Sequence, residues 1–296
     1  MSAPKRPMSA LARNRGRTGM LLTAPAFAFV ALLLGIPILQ AVYYSMTKWD
    51  GIVSVWIGPS TYVKELKNPL FWRVLENNAL LLLAVPVAIM IPLGIAAVLH
   101  EQVIGWRFFR SIYFLPTAVS WVVIGMVSAR FFAQEGMLNN MLAAVGLGAI
   151  KTDFLAGERT ALLAVAVTFI WSMVGTNTII FLTGLATIDP ALHEAARVDG
   201  AGSLRIFWHI TLPQLKRFVQ FSFVMTVISA FTALFSLIFV MTGGGPGYGT
   251  TTLEFFVYQT AFAKGEFGTG ALLGVILFVI MAAIGLAQLK LLRSDD

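Results

Sequence analysis

One polar segment interrupts an otherwise apolar chain and decides how the fold is organised. Residues 192–213 read LHEAARVDGAGSLRIFWHITLP and lie between two long apolar runs. Just upstream, Asp189 and Pro190 form a favourable helix start, because Asp accepts from free backbone N–H groups and Pro fits the first turn. Gly200 and Gly202 predict a stop, since glycine tolerates the left-handed conformation that ends many helices. The segment therefore predicts two short helices joined by glycine.

The rest of the chain has the composition of a membrane protein. Of its 296 residues, 58% are hydrophobic and 12% are charged, and the mean hydropathy is +0.82; soluble domains carry about 25% charged residues. A helix that crosses the bilayer core needs about 20 apolar residues. The stretches of this kind without Lys, Arg, Asp or Glu are 20–45, 77–99, 111–129, 160–186, 218–241 and 268–289. We therefore predict an all-α membrane protein with about six transmembrane helices.

The distribution of Lys and Arg predicts the orientation of these spans. The N-terminal tail carries five basic residues and no acidic residue, and cytoplasmic segments hold an excess of Lys and Arg. Six spans return the C-terminus to the same side, so that the inside segments hold thirteen Lys and Arg and the outside loops hold eight. We divide the chain into a cytoplasmic tail (1–19), a transmembrane domain (20–292) and a cytoplasmic C-terminus (293–296). Residues 189–213 then form a cytoplasmic loop.

Several features argue against an enzyme or a nucleic-acid-binding protein. The chain has no cysteine, and its three histidines, His100, His193 and His209, are too dispersed for a metal site. The glycine-rich stretch TGGGPGYGTTT lacks the Gly-Lys-[Ser/Thr] ending of a phosphate-binding loop, so we expect a flexible external turn or a contact with an external partner. The basic tail and cytoplasmic loops account for the net charge of +7 without nucleic acid. We expect no catalytic residue, no metal and no cofactor bound by this chain.

Polar and aromatic residues in the fourth and fifth spans are candidates for a substrate path. The six spans hold no ionisable residue, which argues against a proton- or sodium-coupled carrier. At about 100° per residue, hydroxyl side chains in these two spans share narrow arcs. The candidates are Trp171, Ser172, Thr176, Thr226, Ser229, Thr232 and Phe235. Helix packing is the alternative role, because Ser and Thr also serve close contacts between membrane helices.

Residues 194–213 resemble the EAA loop of permease subunits of binding-protein-dependent ABC importers. The family pattern is matched at Glu194, Ala195, Ala196, Asp199, Gly200, Ala201, Ile210, Leu212 and Pro213. Further matches to the maltose-type sugar and glycerol-phosphate branch are FFRSIYFLP (108–116), EGMLNNMLAAVGL (135–147) and VMTGGGPGYGTTTLEFFVYQTAF (240–262). The chain departs from the family in its short first outside loop and in His193, where an aromatic residue is more usual.

The resemblance implies a type I ABC importer permease fold in the plasma membrane of a prokaryote. In this family the EAA loop is a coupling helix that docks in a cleft of the ATPase subunit, where Glu194 meets a basic residue. Ala195, Ala196, Asp199, Gly200 and Ala201 are expected to complete this contact.

The resemblance also implies the partners and the substrate class. A carbohydrate is expected to cross between this chain and a second permease, delivered by an external binding protein, while ATP and Mg are bound by a dimer of ATPase subunits. The alternatives are a glycerol-3-phosphate-type importer, an ion-coupled secondary carrier and a membrane scaffold without transport.

Overall fold

The chain folds into a bundle of long helices with short connecting segments at both ends. The computed structural model describes residues 22–100 and 111–293. Predictions on the tail (1–19) and on the C-terminal residues after 293 therefore lie outside the described residues. The described helices are α1 (Leu22–Tyr44), α2 (Ser60–Leu66), α3 (Pro69–Leu82), α4 (Ala84–His100), α5 (Ser111–Ala118), α6 (Trp121–Phe132), α7 (Met137–Ala144), α8 (Glu158–Leu185), α9 (Pro190–Val198), α10 (Ser203–Ile206), α11 (Leu212–Gln214), α12 (Lys216–Thr232), α13 (Leu234–Met241), α14 (Leu253–Tyr258) and α15 (Phe267–Arg293). The described strands are β1 (Thr47–Trp49) and β2 (Ser54–Trp56).

Four of the six predicted spans are confirmed as continuous helices that are long and apolar enough to cross a membrane. They are Leu22–Tyr44, Pro69–Leu99, Glu158–Leu185 and Phe267–Gln288. The second of these begins before its predicted start at residue 77, because Asn68 caps it by accepting from the backbone N–H of Leu70 at 3.0 Å and Pro69 fits its first turn.

The third and fifth predicted spans each correspond to a bent pair of helices that together are long and apolar enough to cross a membrane. Helix α5 meets the following helical segment, Trp121–Ala144, at 112°, and α12 meets α13 at 41°. At the first break, Ser120 has extended backbone and its hydroxyl accepts from the N–H of Val123 at 3.4 Å, which starts a new helix. At the second, the Thr232 hydroxyl donates to the carbonyl of Ile228 at 3.0 Å. Such bonds to the carbonyl four residues earlier bend helices.

A small β-hairpin, which the sequence did not predict, stands at one end of the bundle. Thr47 pairs with Trp56 in the antiparallel register of β1 and β2. Asp50 shapes the turn, because its carboxylate accepts from the N–H groups of Ile52 and Val53 at 2.9 and 2.8 Å. The start of α15 presses against this hairpin at Gly268, where a Cβ atom would collide with the backbone of β1.

The hydrophobic core lies between α4, α8, α12 and α13. Its largest fully buried side chains include Phe169, Phe181, Leu234, Leu237 and Ile238. Helix α1, in contrast, is exposed along its whole apolar length and packs on α15. This exposed apolar surface is what a helix in contact with lipid or with another membrane subunit presents.

Candidate functional site

The loop of residues 189–213 contains two short helices joined by a glycine turn. The Asp189 carboxylate accepts from the N–H of Ala191 at 2.9 Å, which confirms the expected start of α9. The helix ends at Gly200, whose φ of +78° is the left-handed conformation expected of a glycine stop. The N–H of Gly200 donates to the carbonyl of Arg197 at 3.1 Å, and the N–H of Ala201 donates to that of Ala196 at 2.9 Å. These two bonds form a Schellman motif, which fixes the direction in which the chain leaves α9.

The second half of this loop is fastened to the transmembrane helices. Helix α10 runs through a π-turn, Phe207–Thr211, into α11. The His193 ring lies 3.1 Å from the hydroxyl of the buried Thr211, so the residue that departs from the family pattern ties α9 to this π-turn. Leu215, fully buried, packs where Gly184 of α8 leaves room for it. These contacts connect α9, through the π-turn, with α8 and the start of α12.

The outer surface of the loop combines carboxylates with exposed apolar side chains. Glu194 and Asp199 are exposed, and within the described part of the chain neither forms an ion pair. Val198 is 88% exposed and Leu204 73% exposed. Exposed apolar groups beside charged ones are typical of a surface that another protein covers.

A groove of about 590 Å³ runs beside this surface. Glu194, Arg197 and Leu204 line it together with Ala97 and Val98 from the end of α4. The end of α4 and the loop of residues 189–213 are thus at the same end of the molecule.

The candidates for a substrate path divide between the interior and the surface. Ser172 and Thr226 are buried, and the Ser172 hydroxyl donates to the carbonyl of Phe169 in its own helix at 2.7 Å. These two hydroxyl groups therefore serve the interior of the bundle in this structure and do not reach a surface. Ser229 and Phe235 are half-buried, whereas the exposed candidates are Trp171, Thr176 and Thr232.

Thr226 belongs to a buried hydrogen-bond network that was not predicted from the sequence. The Asn177 amide donates to the Thr226 hydroxyl at 3.1 Å and to the backbone carbonyl of Ala88 at 2.7 Å. That carbonyl has no helical partner, because the residue four positions later is Pro92, which carries no N–H. Asn177 thus supplies the missing donor and joins α4, α8 and α12. The available signal was a lone amide in a long apolar run, since such groups must find partners inside a membrane.

The glycine-rich segment between α13 and α14, for which a flexible turn was one expectation, is held to the bundle by hydrogen bonds. Thr250, Thr251 and Thr252 are fully buried. The Asn77 amide donates to the carbonyls of Tyr248 and Thr251 at 2.8 and 2.9 Å, which anchors the segment to α3.

The next residue of α3, Asn78, holds the start of α14. Its carbonyl oxygen accepts from the N–H of Leu253 at 2.7 Å, and its amide donates to the Glu254 carboxylate at 3.2 Å. Burial raises the pKa of Glu254 to about 7. A carboxyl group that titrates near neutral pH thus lies where three segments meet.

A cavity of about 610 Å³, which we call the hairpin cavity, lies between the β-hairpin, α2 and the start of α15. Its charged and polar lining includes Lys48, Asp50, Lys64, Glu65, Asn68, Glu266 and Thr269. Trp49 also lines it and presents an aromatic ring beside these polar groups. This cavity was not anticipated from the sequence, because the hairpin that forms one of its walls was not.

Comparison with known proteins gives consistent matches over most of the chain. A family model described as "Binding-protein-dependent transport system inner membrane component" matches residues 67–294. The chain is 34% identical to the probable ABC transporter permease protein YurN of Bacillus subtilis, over 93% of this chain and 95% of that protein. It is 31% identical to the multiple sugar-binding transport system permease protein MsmF of Streptococcus mutans, over 91% of this chain and 95% of that protein.

A solved structure shares the fold. It is a chain of a bacterial ABC transporter involved in the import of the acidic polysaccharide alginate, with a TM-score of 0.81 and 22% sequence identity. The match covers 97% of this chain and 99% of the other. At this identity, the likeness concerns the arrangement of the helices and not the substrate.

Proposed function

The chain belongs to the family of binding-protein-dependent transport system inner membrane components, and from this premise we propose that it is one permease subunit of an ATP-driven carbohydrate importer. It pairs with a second permease to enclose the translocation path. An external binding protein delivers the substrate, and two ATPase subunits bind ATP and Mg and perform the hydrolysis. The chain itself catalyses no reaction.

One observation carries this proposal, namely the construction of the loop of residues 189–213. Its outer face exposes Glu194 between apolar side chains, while His193 and Leu215 fasten it to the transmembrane helices. A protrusion of this kind can follow a partner that opens and closes and can pass the movement to the membrane helices as a rigid-body rotation. Glu194 is the group that meets a basic residue of the ATPase subunit, and Ala195 and Ala196 keep the helix slim enough for a cleft.

The proposed orientation places this loop and both termini in the cytoplasm. The hairpin cavity and the glycine-rich segment then lie outside, where the binding protein docks. The positive-inside rule supports this orientation, because the basic tail carries five Lys and Arg and the inside segments together carry thirteen, against eight in the outside loops.

A carbohydrate is the substrate class that best fits the chain and its relatives. The Streptococcus mutans relative is named for the transport of multiple sugars. The candidate path residues Thr176, Ser229 and Thr232 offer hydroxyl groups, and Trp171 and Phe235 offer aromatic rings, without a charge. A glycerol-3-phosphate-type importer is the second candidate, but an anionic substrate favours positive charge along its path, and the six spans of this chain contain none.

Reconstitution in proteoliposomes tests the proposal. The purified permease pair, ATPase subunits and binding protein are incorporated with ATP inside, and the uptake of radiolabelled maltotriose, raffinose, chitobiose and glycerol 3-phosphate is followed. We expect uptake of at least one neutral sugar that requires both ATP and the binding protein. Uptake driven by a proton or sodium gradient without ATP would indicate a secondary carrier. Exclusive uptake of glycerol 3-phosphate would indicate the glycerol-3-phosphate-type importer. No uptake of any solute would support a membrane scaffold.

A further inference from the structure

A continuous series of aromatic rings connects the hairpin cavity with a candidate residue of the substrate path. The ring centroids of Phe235 and Tyr258 are 5.5 Å apart, and those of Tyr258 and Phe262 are 5.7 Å apart. The series continues from Phe262 to Phe267 at 5.7 Å and from Phe267 to Trp49 at 5.4 Å. We call these five rings the aromatic track. It runs from the start of α13 across α14 and its following turn to the hairpin.

The aromatic track is accessible along its length. Phe262 is 68% exposed, and the other four rings are half-buried. Two of the half-buried rings pack on further aromatic side chains, since Trp49 stacks on Tyr44 with centroids 4.0 Å apart and Phe235 lies 5.8 Å from the buried Phe255. Every ring of the track thus keeps part of its surface exposed, and the two end rings pack on neighbouring aromatic side chains.

The two ends of the track differ in polarity, and this difference indicates what the track binds. At Trp49 the track opens into the hairpin cavity, where Asp50, Asn68 and Thr269 offer hydrogen-bonding groups. A sugar unit has apolar C–H faces that pack on aromatic rings and hydroxyl groups that bond to such polar side chains. A lipid acyl chain would leave these polar groups without partners, whereas the hydroxyl groups of a sugar can bond to them.

The charges of the hairpin cavity favour a neutral ligand over an anionic one. The lining includes two lysines, Lys48 and Lys64, and three acidic residues, Asp50, Glu65 and Glu266. The lining thus carries no excess of positive charge with which to select a phosphate.

We propose that the hairpin cavity and the aromatic track form a carbohydrate subsite on the outer side of the membrane, which guides sugar units from the binding protein to Phe235 and the translocation path. This inference rests on the proposed function, because it requires that a sugar approaches from the hairpin end. Trp49 receives the first sugar unit in the cavity, and Phe262 and Tyr258 pass it along the track by successive stacking contacts.

The role of the aromatic track is tested by substitutions that remove an aromatic ring but keep an apolar side chain of similar volume. In the reconstituted complex, the initial uptake of radiolabelled maltotriose, raffinose or chitobiose is measured for Phe262→Leu, for Phe262→Tyr and for the control Phe278→Leu. Phe278 is 54% exposed on α15 and lies apart from the aromatic track. We expect Phe262→Leu to lower sub-saturating uptake about three- to tenfold, because aromatic stacking is lost. Phe262→Tyr keeps the ring and should keep uptake within about twofold of wild type, as should Phe278→Leu.

The outcomes separate this inference from the proposed function. If wild type and Phe262→Leu take up a sugar at the same rate, the aromatic track is not a sugar subsite, but the proposal of a carbohydrate importer remains valid. If wild type takes up no sugar, both proposals fail. The yield of the purified complex and its basal ATPase activity should be unchanged in all variants, and a parallel fall of yield and uptake in Phe262→Leu indicates an assembly role and overturns the subsite.

A second measurement distinguishes a sugar track from an aromatic belt that rests in lipid. Tryptophan emission is compared between wild type and Trp49→Phe in nanodiscs that contain brominated phosphatidylcholine, and the difference reports Trp49. We expect this difference signal to resist quenching by the brominated lipid. Strong quenching places the Trp49 ring among lipid chains, where it cannot receive a sugar, and overturns the inference.

Discussion

Replacing Asn177 with Leu should destabilise the bundle through a carbonyl group on another helix. The Asn177 amide makes two buried bonds, to the Ala88 carbonyl at 2.7 Å and to the Thr226 hydroxyl at 3.1 Å. Without it the carbonyl has no donor, because Pro92 removes the usual helical partner. An unsatisfied buried group costs about 1–3 kcal/mol, and hydrogen bonds between membrane helices contribute about 0.6 kcal/mol on average and about 1.7 kcal/mol at most. We therefore expect Asn177→Leu to lower the free energy of unfolding by about 2 kcal/mol.

A double-mutant cycle with Pro92→Ala isolates this mechanism. An alanine at position 92 restores a backbone N–H that can bond to the Ala88 carbonyl, so Asn177→Leu should cost about 1 kcal/mol less in that background. The free energy is measured by titration of the purified chain in mixed lipid–detergent micelles with dodecyl sulfate. Thr183→Val is the control, because the Thr183 hydroxyl is exposed and donates to the Ile179 carbonyl of its own helix at 2.9 Å. An equal cost of Asn177→Leu in both backgrounds refutes the role assigned to the amide.

Three further predictions concern the coupling loop and α14. Glu194→Ala should weaken binding of the ATPase subunits about tenfold or more in a pull-down titration. The control Glu76→Ala, at the opposite end of the molecule, should leave this binding unchanged. Equal binding by the two variants would show that Glu194 does not contact the ATPase. Gly200→Val should destabilise the loop by about 1–2 kcal/mol, because a side chain at a φ of +78° is strained. The control Gly202→Ala, at a φ of −71°, should be tolerated. Protection of α9 from hydrogen exchange reports the difference, and equal protection in the two variants contradicts the role assigned to Gly200. Burial raises the pKa of Glu254 to about 7 from 4.5, so the folded chain retains a proton that the unfolded chain releases, and stability is lost as the pH rises through about 7. Glu254→Gln should therefore raise the thermal midpoint more at about pH 8 than at about pH 5, and a gain independent of pH argues against titration of this carboxyl group.

The long apolar runs and the capping residues predicted most of the architecture. A span is a local property, since about 20 apolar residues in a helix suffice to cross the bilayer. The same holds for α9, whose start at Asp189 and end at Gly200 depend on bonds within a few residues. These are the features for which sequence reasoning and structure agree.

The features that sequence reasoning missed depend on contacts between distant segments. The strands of the β-hairpin have only three residues each, which is too short for a reliable alternation of apolar and polar positions. The break at Ser120 lies in an apolar run, and the packing of α5 against Gly175 of α8 becomes evident only when both are placed. Similarly, the bond from Asn177 to the Ala88 carbonyl joins residues 89 positions apart.

Site-specific crosslinking in the assembled transporter tests the central claim most directly, because the claim is that the loop of residues 189–213 meets the ATPase while the hairpin cavity faces the binding protein. The chain contains no cysteine, so Ala195→Cys and Lys64→Cys each provide a single site for a photoactivatable maleimide. We predict that the probe at position 195 crosslinks to the ATPase subunit and that the probe at position 64 crosslinks to the binding protein. Crosslinking of position 195 to the binding protein, or its modification by an impermeant reagent applied outside intact cells, would contradict the account.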